Sequence, residues 1–154
     1  MTTFGICLTV LALAIWVGSI VFQSAVVAPS VFTALDSEHA GKFLRGLFPR
    51  FFKAGLVCGA VMLLGLALMY FGGAWSEDLT LFAAIVVAMS SLQAAAGAMV
   101  PAINAARDAG EAGRKRFGQL HGVNVLLTIA VLLLGIALIV VVATTALNAL
   151  VSTA

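Results

Sequence analysis

Charge is the scarcest property of this 154-residue chain. Charged residues make up 9% of the sequence and hydrophobic residues 63%, and the mean hydropathy is +1.19. Soluble globular proteins usually carry about 25% charged residues and 45–50% apolar ones. This composition therefore excludes an ordinary soluble domain.

Motifs of catalysis are also missing. The sequence contains no HExxH, no CxxC, no glycine-rich phosphate loop and no carboxylate pair within an apolar run. These motifs carry metal, redox, phosphate and acid–base chemistry in many enzymes. We therefore expect a protein without enzymatic activity and without a cofactor.

Four long apolar runs fill most of the chain, at about 4–28, 54–75, 79–100 and 122–151. Each is long enough for a membrane-spanning helix, which needs roughly 20 apolar residues, and none alternates as a barrel strand would. The pattern predicts an all-α, integral membrane four-helix bundle, with residues 1–154 as a single transmembrane domain in contact with the lipid bilayer. The first run lacks Lys and Arg and is too long for a cleaved signal peptide, so we expect it to be retained.

The eight basic residues fall into only two connections. Those between the first two runs are Lys42, Arg45, Arg50 and Lys53, and those between the last two are Arg107, Arg114, Lys115 and Arg116. The positive-inside rule then places both connections in the cytoplasm and both termini outside, as in a bacterial inner-membrane protein. Read as topology signals and contacts to lipid headgroups, these residues do not indicate nucleic-acid binding.

The first basic connection has the pattern of an amphipathic helix. Its apolar side comprises Phe43, Leu44, Leu47 and Phe48. This predicts a short interfacial amphipathic helix between spans one and two, lying on the membrane surface. Asp36 or Ser37 is expected to cap it, and Pro49 is expected in the first turn of the second span.

Small residues recur every four positions in two of the runs. The third run has Ser90, Ala94 and Ala98, continued by Ala102 and Ala106, and the second has Gly55 and Gly59. Such faces let helices approach closely. We expect them to pack inside one bundle, while a homo-oligomer or a larger membrane complex stays open.

Five polar side chains are predicted to lie at similar depth in the cytoplasmic third of the membrane. They are Gln23, Gln93, Asn104, His121 and Asn124. Polar residues within a membrane usually face the bundle interior. Two readings are open: interhelical hydrogen bonds worth about 0.6 kcal/mol each, or an inward-facing polar pocket in which His121 is the titratable group.

Four short segments resemble a known family. They are IWVGSIVF at 15–22, Ala28-Pro29 with Phe32, LFPRFF at 47–52, and Phe117 with LHG at 120–122. In this order they resemble the transmembrane protein 205-like family of small four-span membrane proteins. The resemblance implies a four-helix integral membrane protein and no particular reaction.

The sequence favours small-solute or ion handling, or service as an accessory subunit of a membrane assembly. The alternative is a haem- or metal-binding membrane redox protein that uses His121 and, as a second weak candidate ligand, His39. Histidine is the commonest metal ligand among side chains, but this chain has only these two.

The charge distribution predicts the orientation directly. In a variant with Cys7 and Cys58 replaced by alanine, a cysteine at Glu77 should react with an impermeant thiol reagent added outside intact cells. A cysteine at Ala112 should react only after the cells are opened. The reverse pattern would overturn the orientation.

Overall fold

The computed structural model describes residues 1–74 and 76–152, and nearly all of them are helical. In chain order the elements are α1 (Thr2–Phe22), a π-helical turn (Gln23–Val27), α2 (Ala28–Ala34), α3 (Ser37–Phe71), α4 (Glu77–Ala98), α5 (Val100–Asp108), a 3₁₀ turn (Gly110–Gly113) and α6 (Arg114–Ser152). Within these residues, four helical spans are long and apolar enough to cross a membrane. The predicted four-helix membrane bundle is confirmed.

The spans are longer than the apolar runs from which they were predicted. They cover Thr2–Ala34, Ser37–Phe71, Glu77–Asp108 and Gly110–Asn148. Hydropathy marks only the part of a helix that matches the hydrocarbon layer, and here the helices continue into their polar ends. The predicted end of the second run at Trp75 lies outside the described residues.

Neighbours in sequence are neighbours in the bundle. α1 packs on α3, α3 on α4, α4 and α5 on α6, and α6 returns to α1. Because the connections between spans are short, consecutive spans run antiparallel. The result is a closed ring of four helices with the two basic connections at the same end.

The tightest contact is between the first and second spans, around the fully buried Trp16. A Cβ on Gly55 would lie 2.7 Å from Trp16 Nε1, and one on Gly59 would lie 3.3 Å from the indole ring. Further along, the Thr9 hydroxyl sits against Gly65 and donates to the carbonyl of Gly5 at 2.9 Å. The prediction that Gly55 and Gly59 pack inside one bundle is confirmed.

The alanine face predicted on the third span is wrong in its direction. Ala94 and Ala98 are exposed, whereas Gln93 and Ala96 are buried. Two members of the predicted face do pack inward: the Ser90 hydroxyl would meet a Cβ on Gly59, and Ala106 is buried. Alanine is apolar enough to face lipid, so small size alone does not identify the packed side.

The amphipathic segment after the first span is helical, as predicted, but it is not a separate helix. It forms the first turns of α3, which continues through Pro49 without a break. Ala40 and Leu44 pack against Val31 of α2, and this contact holds the segment in line with the span instead of flat on the membrane surface. Pro49 removes one helical hydrogen bond, which the continuous helix tolerates.

Asp36 caps α3, as predicted. Its carboxylate accepts hydrogen bonds from the backbone N–H groups of His39 and Glu38, each at 3.0 Å, and contacts His39 Nδ1 at 2.7 Å. The backbone bond and the side-chain bond from His39 lower the pKa of the Asp36 carboxyl. The charged form is therefore the one that holds this helix start.

Two glycines within helices differ in the space around them. Gly55→Ala should lower the free energy of unfolding by about 1–3 kcal/mol, because the new methyl group would overlap the Gln93 carboxamide and approach Trp16. Gly18→Ala is the matched control, since nothing lies within 4 Å of its Cβ position, and helix propensity should make it neutral or stabilising. Thermal unfolding in detergent measures both, and equal effects would contradict the packing at Gly55.

Candidate functional site

A cavity of about 570 Å³ opens at the end of the bundle that carries the basic connections. We call it the loop-side cavity, and all four spans contribute to it. Its polar lining consists of Gln23, Ser24, Arg45, Asn104, Arg107, His121, Asn124 and Thr128. Its aromatic lining consists of Phe32, Phe48, Phe51, Phe52 and Phe117. The volume falls within the roughly 300–1,000 Å³ typical of small-molecule sites.

A π-helical turn places Gln23 at this cavity. The turn spans Gln23–Val27, and the N–H of Ala28 bonds back to the carbonyl of Gln23. Pro29 gives a local cause, because in a regular α-helix its ring would meet the carbonyl of Ala25, and a wider turn relieves that contact. Single π turns within helices are frequent at functional sites.

The third span is also irregular at this level, and Asn124 of the fourth span forms a hydrogen bond to it. α4 ends at Ala98, Met99 forms a turn, and α5 begins with Pro101 in its first turn. Asn124 Nδ2 donates to the carbonyl of Ala96 at 2.7 Å. Asn124 therefore joins the fourth span to the bend in the third, while the rest of its carboxamide lines the cavity.

Gln93 is separate from the other predicted polar residues. It is fully buried, does not line the cavity, and donates a long hydrogen bond of 3.4 Å to the carbonyl of Phe52. Its Oε1 and Trp16 Nε1 are buried and have no partner within the described residues. Both side chains lie against Gly55, so this donor and this acceptor are close neighbours in the core.

The two histidines occupy different places. His121 lines the cavity and stacks on Phe117, with ring centroids 5.6 Å apart and 3° between the planes. His39 is paired with Asp36 at the start of α3 and is absent from the cavity lining. No group of three or more His, Cys, Asp or Glu that could hold a metal occurs within residues 1–74 and 76–152.

Two arginines at the cavity were missed as site residues. Arg45 makes a two-pronged ion pair with Asp108 across the two basic connections. Arg107 donates to the carbonyl of Ser37 at 3.1 Å and lies over Gly41, where a Cβ would come within 2.7 Å of the guanidinium. From the sequence, both arginines were interpreted only as topology signals. The one sequence feature that could have indicated the position of Arg107 is Gly41, a residue without a side chain five positions after the cap at Asp36.

The structure thus brings Gln23, Asn104, His121 and Asn124 to one cavity and leaves Gln93 in the core. Their role as a binding site stays a prediction, since position alone does not show a ligand. The five residues belong to two different polar environments.

This division can be measured with double-mutant cycles on thermal stability. Gln93→Ala and Trp16→Phe should be coupled by about 0.5–3 kcal/mol, because the two side chains are in contact. Gln93→Ala and His121→Ala should add to within about 0.5 kcal/mol, as separated sites do. Strong coupling of Gln93 with His121 would contradict the division.

Comparison with known proteins gives one family. The model of the family described as Domain of unknown function (DUF4149) matches residues 11–112. No curated protein and no solved structure matches the chain. The matched segment covers most of the first span and all of the second and third, including Gln23, Asn104 and Arg107 of the cavity. Since the match extends over well more than half of the sequence, the chain belongs to the DUF4149 family.

Proposed function

We propose that this membrane protein handles a small solute, which it binds in the loop-side cavity, and that it does so without catalysing a reaction. The observation that carries the proposal is the cavity itself, which all four spans line and which combines an apolar wall with a few convergent polar groups. That combination is typical of small-molecule sites.

The proposed orientation makes the cavity face the cytoplasm. All eight basic residues and four of the six acidic ones lie at the cavity end of the bundle, whereas the opposite end carries only Glu77 and Asp78. The positive-inside rule supports cytoplasmic basic connections, external termini and a bacterial inner membrane. A solute would then enter from the cytoplasm or from the inner leaflet.

Binding without catalysis is supported by the surroundings of His121. Its imidazole stacks on Phe117, and no described residue forms a hydrogen bond with it. A general base normally acts in concert with a nucleophile or an orienting partner within hydrogen-bond distance. The lining supplies amide and guanidinium donors, which suit recognition.

Two alternative functions would require other features of the same bundle. An accessory subunit of a membrane assembly, or a homo-oligomer, would fill the cavity with a helix from a partner. A haem or metal redox centre would need ligands beside His121, and His39 lies outside the cavity lining. Closer kinship with transmembrane protein 205-like proteins also remains a proposal, which rests on the four sequence segments.

Native mass spectrometry of the protein extracted in mild detergent or in lipid nanodiscs tests the proposal. Wild-type protein should carry a non-covalent small-molecule adduct from the host membrane. Ala28→Trp should abolish the adduct, because Ala28 lines the cavity and an indole would occupy it.

Ala25→Trp is the matched control, since Ala25 is exposed on the same span and outside the lining; it should keep the adduct. Wild-type protein free of any adduct in both media would contradict solute binding. An adduct with the mass of haem would favour the redox alternative.

A further inference from the structure

We propose that the loop-side cavity binds a long-chain carboxylate, an amphiphile with one negative charge and one apolar chain, which enters from the bilayer between the first and fourth spans. The inference rests on the proposed function and names the class of its ligand. Four observations carry it: the charge at the cavity, an unpartnered amide, the shape, and a gap between two spans.

The charge at the cavity calls for a single negative group. The lining contains Arg45, Arg107 and His121 and no carboxylate. Asp108 compensates Arg45 through an ion pair, whereas Arg107 bonds only to the neutral carbonyl of Ser37 in the described part of the chain. One uncompensated guanidinium matches a carboxylate, with which arginine forms paired hydrogen bonds. A phosphate monoester would bring about −1.5 to −2 charges.

A smaller polar pocket adjoins this end of the cavity and also favours a ligand with one negative charge. It is lined by Ser37, Glu38, Gly41, Lys42, Arg45 and Arg107. Lys42 and Glu38 are opposite in sign and Arg45 is paired with Asp108, so Arg107 is the basic residue of this lining whose charge is left over. Gly41 leaves the room in which this guanidinium lies.

Gln23 provides a hydrogen-bonding group that a ligand in the cavity could use. Its exposed fraction is 8%, it lines the cavity, and its carboxamide bonds to none of the described residues. Its amide atoms are not among the fully buried, unpartnered polar atoms of the described residues, which are Trp16 Nε1 and Gln93 Oε1, so a ligand in the cavity can reach them. The π-helical turn holds Gln23 at the cavity, where its N–H₂ group can donate to an oxygen of the ligand.

The arginines of the lining lie beside the basic connections, and its far end is formed by Ile20, Ile129 and Leu132. On α6 the residues that face the cavity include Phe117, His121, Asn124, Thr128 and Leu132, which lie on one helical face. From Phe117 to Leu132 this face extends about 22 Å at 1.5 Å per residue. A volume of about 570 Å³ spread over that length is long and narrow, which suits one extended chain better than the two chains of a phospholipid.

The side of the cavity between the first and fourth spans is open. α6 packs against α1, but it packs against neither the π-helical turn nor α2. Lining residues on both sides of this gap are exposed, among them Phe32 at 63%, Val125 at 41% and Ile129 at 44%. A gap between adjacent spans faces lipid, so an amphiphile can slide in from the inner leaflet with its charged end toward the basic connections.

Titration with palmitate, followed by native mass spectrometry of purified protein, tests this ligand class. Palmitate should bind to wild-type protein, and Arg107→Gln should weaken it about tenfold or more, the loss expected for a charge-assisted hydrogen bond. Gln23→Leu should weaken it about fivefold. Hexadecanol, which has the same chain without the charge, should bind weakly and should not respond to Arg107→Gln.

Arg50→Gln is the matched control, because Arg50 bonds to Gly46 on its own helix and does not line the cavity; palmitate affinity should be unchanged. Arg107→Lys keeps the charge but not the paired hydrogen bonds, so it should weaken palmitate binding less than Arg107→Gln does, which separates loss of charge from loss of fold. Equal binding of palmitate and hexadecanol, or indifference to Arg107→Gln, would overturn the inference.

The outcomes also separate this inference from the proposed function. A co-purified adduct that is neutral or fully polar, together with no palmitate binding, would refute the carboxylate and leave solute binding intact. A cavity that excludes palmitate while the protein is a dimer in nanodiscs would show that a second copy fills it. Absence of every adduct would refute both proposals.

Discussion

The close approach of the first and second spans is the contact on which the rest of the structure depends. Gly5 and Gly65 let the backbones meet near one end, and Gly55 and Gly59 receive Trp16 in the middle. In a bilayer, helices associate through packing and hydrogen bonds, because lipid is as apolar as their side chains. The glycine contact therefore fixes the register of the bundle, and it ends at about the level of Trp16. Below that level the helices separate and enclose the cavity.

Two prolines mark the level at which the helices separate. Pro29 follows a π-helical turn in the first span, and Pro101 follows the bend at Met99 in the third. Proline in a membrane helix is tolerated where other groups bond to the freed carbonyls. For the third span, Asn124 donates to the carbonyl of Ala96 beside the bend, which also accepts from the Met99 N–H. The same irregularities that interrupt regular packing thus bring polar side chains together, so the fold and the candidate site have one cause.

Sequence patterns predicted where the helices lie better than they predicted which side of each helix packs inside the bundle. Hydropathy located four spans, Asp36 was a correct cap, and Gly55 with Gly59 packs as expected. The predicted alanine face was wrong at Ala94 and Ala98, because alanine can also face lipid, and the groups of this span that bond to neighbouring helices are the Gln93 amide and the Ala96 carbonyl. Depth alone placed Gln93 with the cavity residues, although it points into the core. Charge counting found the orientation signal in Arg107 but not its position at a cavity, which depends on how α5 meets α3.

In the proposed orientation and function, Arg107 is both a topology signal and a binding residue. A basic residue at the end of a span contacts lipid headgroups wherever the surface is flat. Here α5 ends over Gly41, and the guanidinium is held against the cavity and not spread on the membrane surface. Gln23, on the first span, lines the same cavity and has no hydrogen-bond partner among the described residues. In the proposed complex, one carboxylate would offer a bonding partner both to the Arg107 guanidinium and to the Gln23 amide.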